Sequence, residues 1–573
     1  MTGHRAGEQG AADHPVPGTG SDGGVRPFTP VAGWERVTRA RRMGERALLL
    51  ETDGSSSALA VLEHCRHHPM DHQVELIPGA ASVLVTFSRS LDSWEPLKSI
   101  PGPPPAWERD LPDGDEVSID VVYDGADLDE VGALTGLGAG GIVTAHTATP
   151  WRVAFCGFSP GFGYLTGGDP RLVVARRDTP RPEVPAGSVG LAGEYSGVYP
   201  SASPGGWRLI GRTDAVLWDL RRDPPALLQP GMRVRFRAVR EAVTGSEATG
   251  PAEAAASGAA AAQTVPSRLT AYGPAATETR STERALVVHR PGMQCTVQDL
   301  GRTGVARLGV SPSGAADRGA AGRANRIVGN AVDAAVCEIL MGGAEFEARG
   351  PLLLAVTGAD VPIEVDGADG NPAGHGDAGM DRPIAVSSGA RVRLGRPARG
   401  LRSYLAVRGG IDVPPVLGSR STDLLAGIGP APLRAGDVVA IGEGHWGTPH
   451  VVPAEALPDT VDLSALPGPQ LDWFVPGTLQ RICATQWTVS PASNRVGIRL
   501  VGPRPERTVT DELPSQGLVR GAVQVPPSGE LVVFLADHPV TGGYPVVAVL
   551  TDAAADLAAQ ARPGGTVRLS PAG

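Results

Sequence analysis

FCGFSPGFGYLTGGDPRLVVARRDTPRPEVPAGSVGLAGEYSGVYPSASPGGW fills residues 155–207 and is dense in glycine, proline, arginine and aromatic residues. Glycine permits backbone conformations that are closed to other residues, and proline stiffens its neighbours. Arg176, Arg177 and Arg181 offer planar guanidinium forks for anions. We therefore predict that this block forms a rigid, loop-built pocket for a small polar or anionic ligand.

The composition of the chain favours β structure. Its 573 residues include 77 glycines and 53 prolines, which lie between runs of Val, Leu and Ile rather than in one biased tract. ALLLE, ASVLVTF and VSIDVVY are predicted as strands, and SSSALAVLEHCRHH as an amphipathic helix with a serine cap. We predict a mainly β protein with α+β elements.

The net charge and the apolar pattern limit the classes of binding partner that the sequence favours. A formal charge of -10 gives no support for binding to nucleic acid or to an anionic membrane, so small molecules or proteins fit better. The chain shows no apolar signal segment, no apolar run long enough to span a membrane, and no Cys/His spacing typical of zinc sites. We expect a soluble cytoplasmic protein without a metal site of its own, and a homo-oligomer stays open.

Composition shifts divide the chain into two halves. Residues 241–284 contain 13 alanines in 44 positions and few large apolar groups, which is typical of a linker. Spacing of apolar residues over 332–340 predicts an amphipathic helix in the second half. The predicted organisation is a disordered tail at 1–30, a small α+β domain at 31–115, a β domain at 116–240, the linker, and two β-barrel-like domains at 285–445 and 446–573.

A short echo links the halves. GSVGL at 187–191 and GAVQV at 521–525 are each followed by a proline-containing turn and a Gly-Gly-aromatic triplet, GGW at 205–207 and GGY at 542–544. The match fits duplicated β-barrel units that each present one glycine-rich loop.

Longer motifs resemble two protein families. GFSPGFGYL, VPAGSVGLAG and VYPSASPGGWRLIGRT in the first half are similar to the B subunit of 5-oxoprolinase. TVQDLGRTG, SGAADRGAAGRANRIVGN, GLRSYLAVRGGIDVPPVLGSRST, SNRVGIRLVGP and ADHPVTGGYPVVAVL in the second half resemble the C subunit of 5-oxoprolinase, the biotin-dependent carboxyltransferase-like family. The resemblance implies a fusion of the B and C subunits with tandem cyclophilin-like β-barrel domains; a similar tandem occurs in urea carboxylase.

The resemblance also implies a reaction and a partner. It implies ATP-dependent opening of the lactam of 5-oxoproline to glutamate, with Mg²⁺ bound to the nucleotide and a separate protein of the 5-oxoprolinase A type as partner. Because a lactam is a poor electrophile, transfer of a phosphoryl group to its oxygen would supply a leaving group before water attacks. Arginines and backbone N–H groups would hold the phosphates, since the chain has no P-loop motif.

Two classes of candidate site residue follow from the motifs. Histidine and aspartate near the glycine-rich blocks suit acid–base work near neutral pH, and the predicted catalytic residues are His146, Asp299, Asp537 and His538. Glycine, arginine and hydroxyl groups suit anions, and the predicted substrate- or phosphate-binding residues are Gly157, Pro160, Gly161, Arg181, Gly187, Ser188, Gly205, Gly206, Arg302, Arg402, Tyr404, Arg408, Arg420, Ser421, Thr541, Gly542, Gly543 and Tyr544.

Structural roles for many of these residues stay open at this point. A buried histidine is often part of a core, an Asp beside an Arg often stabilises a turn, and arginines that alternate on a strand often face solvent. Two alternative functions also stay open: a carboxyltransferase that acts on biotin carried by another chain, and a regulatory protein that binds a sensor kinase. Lys98, the only lysine, does not lie in a biotinylation motif, so no covalently bound biotin is expected.

Overall fold

The computed structural model describes residues 34, 36–91, 115–240, 283–367, 379–444, 447–453, 457–458 and 460–572. The predicted tail at 1–30 and residues 241–282 of the predicted linker lie outside the described residues. The described chain forms four units, which we call the N-terminal unit (36–91), the first barrel (115–240), the sandwich (283–444) and the last barrel (460–572). The predicted mainly β class, with two barrels and a small N-terminal α+β unit, is confirmed.

The N-terminal unit is a four-stranded antiparallel sheet with the order β1-β2-β4-β3, covered by one helix. Its elements are β1 Val37–Arg42, β2 Ala47–Thr52, α1 Ser55–His67, β3 Gln73–Pro78 and β4 Ser82–Phe87. The predicted serine cap is wrong, because Gly54 holds the cap position and no side chain caps the helix. Ser57 lies inside the first turn and accepts a hydrogen bond from Arg36 Nη1 at 3.5 Å instead.

The first barrel is a seven-stranded sheet with the order β12-β9-β10-β7-β6-β13-β5, whose two ends meet at a bridge between Val122 and Arg212. β8 and β11 pair separately. The elements are β5 Glu116–Val121, α2 Leu128–Thr135, α3 Gly138–Ala148, β6 Trp151–Cys156, β7 Gly163–Thr166, β8 Arg181–Val184, β9 Ser188–Ala192, β10 Tyr195–Val198, β11 Ser203–Gly205, β12 Arg208–Arg212 and β13 Arg233–Ala238.

The sandwich consists of two five-stranded sheets, β19-β21-β17-β14-β23 and β15-β16-β22-β18-β20, whose apolar faces share one core. The barrel-like domain predicted at 285–445 is therefore wrong, because its strands pair into two facing sheets. Its elements are β14 Ala285–Pro291, β15 Gln294–Gln298, α4 Arg318–Val328, β16 Val336–Leu340, β17 Ala344–Arg349, β18 Leu352–Asp360, β19 Ile363–Asp366, β20 Ile384–Val386, β21 Arg391–Leu394, β22 Arg399–Val407 and β23 Val438–Ala440.

The helix predicted over 332–340 is wrong. Residues 336–340 form β16, which pairs with β15 on one side and β22 on the other. The helix lies earlier, as α4, and ends at Gly329 in the left-handed conformation. Because β16 is a central strand that is buried on both faces, its apolar residues come at almost every position, and such a run is compatible with helical spacing as well.

The last barrel is closed by seven strands in the order β24-β31-β28-β29-β26-β25-β32. Its elements are β24 Val461–Pro467, α5 Thr478–Ala484, β25 Gln486–Val489, β26 Gly497–Val501, β27 Gln516–Gly517, β28 Ala522–Gln524, β29 Leu531–Phe534, β30 Thr541–Gly542, β31 Val546–Leu550, α6 Asp552–Ala558 and β32 Thr566–Pro571. Leu463, Val533 and Val567 belong to a core that also packs against α5 and α6.

The two barrels repeat one topology. Their strands follow the same order, and in each the first and last strands, β5 with β13 and β24 with β32, pair in parallel. Trp151 Nε1 donates to the His146 carbonyl at 3.0 Å, and Trp487 Nε1 donates to the Ile482 carbonyl at 3.0 Å, five residues back in both cases. The echo at 187–191 and 521–525 falls on corresponding strands, β9 and β28, and therefore coincides with a structural repeat.

Candidate functional site

A cleft opens where the N-terminal unit, the sandwich and the last barrel meet. Its volume is about 310 Å³. The charged and imidazole side chains along it are Glu45, Arg46, Glu75, Arg302, Arg318, Arg520, His538 and Asp552. Glu45 and Arg46 come from the glycine turn between β1 and β2, and Glu75 comes from β3. The other five come from the loop between β15 and α4, the first residue of α4, the loop before β28, the loop after β29 and the first residue of α6.

Arg302 is the most buried cation of the cleft. Its side chain is 1 % exposed and lies in the turn after β15. Nε donates to the Val416 carbonyl at 3.3 Å and Nη2 donates to the Ser421 carbonyl, while Nη1 has no partner. Burial lowers the pKa of Arg302, against the carboxylates of Asp423 and Asp299, which raise it. The predicted anion-binding residue therefore holds a spare donor.

Arg318 and Arg520 bring two more guanidinium groups to the cleft. Burial, and after it the like charge of Arg520, lower the pKa of Arg318 to about 10. Arg318 Nε is buried without a partner. Arg520 instead donates to Asp556 at 2.6 Å, and Asp556 also accepts from the backbone N–H groups of Arg318 at 2.9 Å and Gly319 at 3.0 Å. Asp556 therefore satisfies the amino end of α4 and occupies Arg520.

His538 presents a hydrogen-bond acceptor. Its Nδ1 lies 2.8 Å from the Pro539 carbonyl. Since a carbonyl only accepts, Nδ1 carries the proton and Nε2 carries the lone pair. Burial lowers the pKa of His538 to about 4, so the ring is neutral at neutral pH. The predicted acid–base residue thus lies in the cleft as a neutral imidazole.

Asp537, the neighbouring predicted catalytic residue, lies beneath the cleft and is fully buried. It accepts two hydrogen bonds from Arg495, Nε to Oδ2 and Nη2 to Oδ1, both at 3.0 Å. Ser313 Oγ donates to Oδ1 at 2.7 Å, and Leu424 N donates to Oδ2 at 3.1 Å. Both oxygens are thus bound to protein groups, which fits a positioning role for Asp537.

Glu338 is the second buried acid of this network. It accepts from Arg495 Nη1, from Tyr404 Oη at 3.0 Å and from Ala316 N at 2.9 Å, and Arg402 Nε lies 3.5 Å away. Arg402 Nη1 also donates to the Ala559 carbonyl. Tyr404 and Arg402, predicted as phosphate contacts, therefore bind protein groups, and Arg402 joins the sandwich to the last barrel.

Asp299 organises the loop that carries Arg302. Its carboxylate accepts from Ser419 Oγ at 2.6 Å, Ser421 Oγ at 2.5 Å, Arg420 N at 2.6 Å and Gly301 N at 2.8 Å. Such a saturated carboxylate fixes the backbone on both sides of the loop. Asp299 and Ser421 thus act on the cleft through Arg302.

Two predicted anion-binding arginines bind backbone carbonyls. Arg420 Nε donates to the Val413 carbonyl at 2.8 Å. Arg408 Nη1 donates to the Val328 carbonyl at 2.7 Å and the Gly447 carbonyl at 3.1 Å. The structure does not bring either side chain to the lining of the cleft.

The two glycine-rich blocks meet each other. A β-carbon at Gly157 would overlap Thr541 Oγ1, and Phe158 N donates to that oxygen at 3.3 Å. Gly161 N donates to the Leu308 carbonyl at 2.9 Å, which joins the same loop to the sandwich. Gly157, Gly161 and Thr541 thus hold the halves together.

Four further predicted residues flank this contact. Pro160 lies in the same turn, and Gly542 pairs with Gln516 through β30 and β27. Next to it, a β-carbon at Gly543 would lie 3.2 Å from the Leu513 carbonyl, and the Tyr544 carbonyl accepts from Gln524 Nε2 at 2.9 Å. These contacts form an interface between loops.

His146 lies away from the cleft, inside the first barrel. It is fully buried and stacks on Phe236 with 4.3 Å between ring centroids. Its Nδ1 lies 2.7 Å from Tyr123 Oη and its Nε2 lies 2.8 Å from Ser196 Oγ. Burial lowers its pKa to about 3. The catalytic role predicted for His146 stays a prediction, and the geometry assigns it to the core of the barrel.

The remaining predicted residues shape the first barrel. Arg181 Nη2 donates to Asp127 at 2.7 Å, and Ser188 is buried on β9. Gly187 has a φ of 78° and lies against the Thr213 carbonyl. Gly205 lies against the Tyr199 ring, and Gly206 follows it in the turn before β12.

Sequence reasoning missed four residues of the network and cleft: Glu338, Arg495, Arg318 and Arg520. Glu338 lay in the segment wrongly predicted as a helix, and Arg495 and Arg318 lay inside motifs quoted only for their resemblance, SNRVGIRLVGP and SGAADRGAAGRANRIVGN. A signal existed in both motifs, because each sets an arginine beside asparagine, aspartate or glycine in a turn-forming context.

Within the described residues, no group of three or more His, Cys, Asp or Glu side chains has the arrangement of a metal site. Among the helices of the described part of the chain, none is long and apolar enough to cross a membrane.

Comparison with known proteins gives matches to both halves. The family described as carboxyltransferase domain, subdomain C and D matches residues 38–228, and that described as carboxyltransferase domain, subdomain A and B matches residues 308–571. The B subunit of 5-oxoprolinase from Escherichia coli O157:H7 is 43% identical over 184 residues, which cover 30% of this chain and 82% of the relative. The C subunit of 5-oxoprolinase from Escherichia coli K12 is 40% identical over 273 residues, which cover 47% of this chain and 85% of the relative.

Two further comparisons concern both halves at once and a larger enzyme. The crystal structure of the protein TTHA0988 superimposes with a TM-score of 0.75 and 32% identity, over 92% of this chain and 99% of that one. The urea amidolyase of Lachancea kluyveri is 32% identical over 323 residues, which cover 50% of this chain but 17% of the relative.

Proposed function

This chain belongs to the carboxyltransferase-domain family that includes the B and C subunits of 5-oxoprolinase, and from this premise we propose that it is the fused B–C component of an ATP-dependent 5-oxoprolinase. In this role it is an ATP-hydrolysing cyclic amide hydrolase component, and a protein of the 5-oxoprolinase A type, here called the A-type protein, completes the enzyme. The relatives are subunits of a multi-subunit enzyme, which supports such a partner.

One observation carries the proposal: the cleft is built from both halves. Glu45, Arg46 and Glu75 come from the segment that matches subdomains C and D. Arg318, Arg520 and His538 come from the segment that matches subdomains A and B. A cleft that needs both segments gives a physical reason for keeping the two components in one chain.

The chemistry of the cleft suits an anionic lactam and its phosphorylated form. Phosphoryl transfer from ATP to the lactam oxygen would release ADP, water would then add to the ring carbon, and phosphate and the opened amino acid would leave. Guanidinium groups stabilise the negative charge that collects on the phosphoryl and ring oxygens in these steps. ATP with Mg²⁺ enters as a substrate of this proposed reaction.

The proposal is tested by reconstitution. The purified chain is mixed with its A-type protein, ATP, Mg²⁺ and 5-oxoproline, and glutamate and ADP are measured; each component is omitted in turn. We expect glutamate and ADP in equal amounts, and only in the complete mixture. Absence of ADP formation in the complete mixture would rule out the proposed function.

A second candidate function is supported by the match of half of this chain to urea amidolyase. In this case the chain would transfer a carboxyl group between a biotin carrier on another protein and a small acceptor. The measurement is loss of label from a carrier charged with ¹⁴C-carboxybiotin after addition of the chain and urea or 5-oxoproline. Transfer of label without ATP would favour this function over lactam opening.

A further inference from the structure

The sheet of the N-terminal unit is apolar on both faces. Successive side chains of a strand point to opposite faces, and Leu48 and Leu50 of β2 pack with α1 in one core cluster. Leu49, between them, belongs to a second cluster, and so does Leu84, its partner on β4. Because α1 covers only the first face, another part of the chain has to cover the second.

The last barrel covers the second face. The second cluster combines apolar residues of the N-terminal unit with residues from the far end of the chain. It consists of Met43, Ala47, Leu49, Ile77 and Leu84 from the N-terminal unit, Ala306 from the sandwich, and Leu518, Ala522, Phe534, Val540, Val546 and Val549 from the last barrel. A joint apolar core of this kind is typical of permanent protein–protein interfaces.

Glycines bring the two surfaces into close contact. A β-carbon at Gly517 of β27 would lie 2.7 Å from Cβ of Leu84 and 3.0 Å from Cγ2 of Ile77. A β-carbon at Gly44, in the turn between β1 and β2, would lie 2.8 Å from Cγ1 of Val549. The surfaces therefore meet without room for a further methyl group, as in the packed core of a single domain.

Polar groups fix the same interface. Arg41 near the end of β1 is 6 % exposed, and its Nη2 donates to Asp472 at 2.9 Å while its Nη1 donates to the Pro469 carbonyl. Ala80 N donates to the Ser515 carbonyl at 2.7 Å. Separation of the surfaces would remove these partners in addition to exposing the apolar core, so it is unfavourable on both counts.

The first barrel follows the N-terminal unit in sequence but shares less apolar core with it. A cluster common to these two units holds Ala80 from the N-terminal unit with Ala154 and Phe155 from the first barrel. We propose that the second face of the N-terminal sheet is a permanent docking surface for the last barrel, so that the N-terminal unit stays with residues 283–573 when the first barrel is released.

This docking has a consequence for the cleft. Among the described residues that line the cleft, none comes from the first barrel. Glu45, Arg46 and Glu75 come from the N-terminal unit and would remain in place with it. The cleft thus keeps its walls when the first barrel separates, and this inference does not depend on the proposed function.

Cleavage of the folded full chain tests the docking surface. Protease recognition sites replace short stretches within residues 92–114 and 241–282, which lie outside the described residues. Cleavage gives an N-terminal, a first-barrel and a second-half fragment. We expect the N-terminal fragment to co-elute with the second-half fragment in equal amounts in gel filtration at about 1 µM. Elution of the N-terminal fragment alone, or with the first-barrel fragment only, would overturn the proposal.

Two glycine variants of the cleavable chain distinguish this surface from the contact of the first barrel. Gly517→Ala sets a methyl group against Leu84 and Ile77 and should weaken retention of the N-terminal fragment at least about tenfold in a dilution series. Gly157→Ala sets the same group against Thr541 and should release the first-barrel fragment instead. Equal release of the N-terminal fragment in both variants, or its release in neither, would refute the docking surface.

A second variant covers a failure of Gly517→Ala to fold before cleavage, which circular dichroism of the uncut chain would reveal. Leu84→Ala removes the contact from the side of the N-terminal unit, and the lost packing should also release the N-terminal fragment at least about tenfold more readily. Unchanged retention in Leu84→Ala would refute the docking surface as well.

Discussion

Arg495 of the last barrel donates to Glu338 of the sandwich through Nη1 while its Nε and Nη2 hold Asp537. All three side chains are at least 96% buried. Burial lowers the pKa of Arg495, but Asp537 and Glu338 more than reverse this, so the pKa lies above its ordinary value. One guanidinium thus neutralises two acids at the interface beneath the cleft.

Replacement of Arg495 by Met should therefore destabilise the protein strongly. The variant leaves Asp537 without its cation and Glu338 with Arg402 alone, and the loss of one partner from a buried pair costs about 3 to 5 kcal/mol. Denaturant unfolding monitored by circular dichroism measures the change. Arg495→Met with Asp537→Leu should recover part of the loss, because the second change removes one unpaired charge. A single-variant loss below about 1 kcal/mol would contradict this role.

A side chain at Gly157 should disrupt the contact between the two glycine-rich blocks. Ala at this position would overlap Thr541, whereas Ala at Gly206 meets its nearest atom at 3.6 Å. We expect Gly157→Ala to lower the melting temperature by several degrees, as for a loss of about 1 to 2 kcal/mol, and Gly206→Ala to change it little. Thr541→Ala should restore most of the loss in the double variant. Additive effects of the two changes would show that the blocks do not couple.

The sequence predicted several side chains of the site but not the hydrogen bonds between them. Arg302 and His538, chosen from local motifs, do lie together in the cleft. Their partners were hidden, since the carbonyl of Ser421 and the bonds that occupy Asp537 depend on contacts between residues far apart in the chain. Local patterns indicate which side chains could bind a ligand or transfer a proton. Only tertiary packing determines which of them already form hydrogen bonds within the protein.

The fold shows the same division between local and distant information. Alternating and β-branched runs predicted strands such as β4 and β5, and the echo at β9 and β28 indicated the repeat. The error over 332–340 arose because a strand buried on both faces loses the period of two. His146 was chosen for its position beside the glycine block, yet the helix that carries it points the ring into the barrel core.

Glu75 should hold the N-terminal unit against the sandwich. It lies on β3 and accepts from Gly304 N at 2.6 Å and Ala306 N at 3.1 Å of the sandwich. Glu75→Gln keeps one acceptor oxygen and loses the charge, so docking should weaken by about 1 to 2 kcal/mol. Hydrogen exchange of β3 and β4 should then accelerate, while Glu63→Gln on α1, whose acid pairs with Arg66 at 2.7 Å, should leave it unchanged. If β3 and β4 exchanged at the same rate in Glu75→Gln as in the wild type, this role of Glu75 would be refuted.

His146 should contribute to acid sensitivity. Its pKa falls to about 3 in the folded chain from 6.5, so between these values the unfolded state binds the extra proton. Stability from this residue is complete above pH 6.5 and is lost as pH falls, by about 2 kcal/mol from pH 7 to pH 5. His146→Gln should show a smaller loss in that range by urea unfolding. The pKa of His538 is also lowered, so this residue keeps part of the pH dependence of stability in the variant. Parallel pH profiles for variant and wild type would contradict the shift.

Asp423 should produce the opposite pH dependence. Burial and the charge of Asp537 raise its pKa to about 7, and its Oδ2 has no partner. Between pH 4 and pH 7 the folded chain therefore binds more protons than the unfolded chain at this site, and stability falls as pH rises. Asp423→Asn should lose less unfolding free energy from pH 5 to pH 8 than the wild type, by on the order of 2 kcal/mol. Asp120→Asn, at a half-exposed ion pair with Arg237, should keep the wild-type profile. If Asp423→Asn also kept the wild-type profile, the carboxyl group of Asp423 in the wild type would have to be ionised in the folded protein at pH 5.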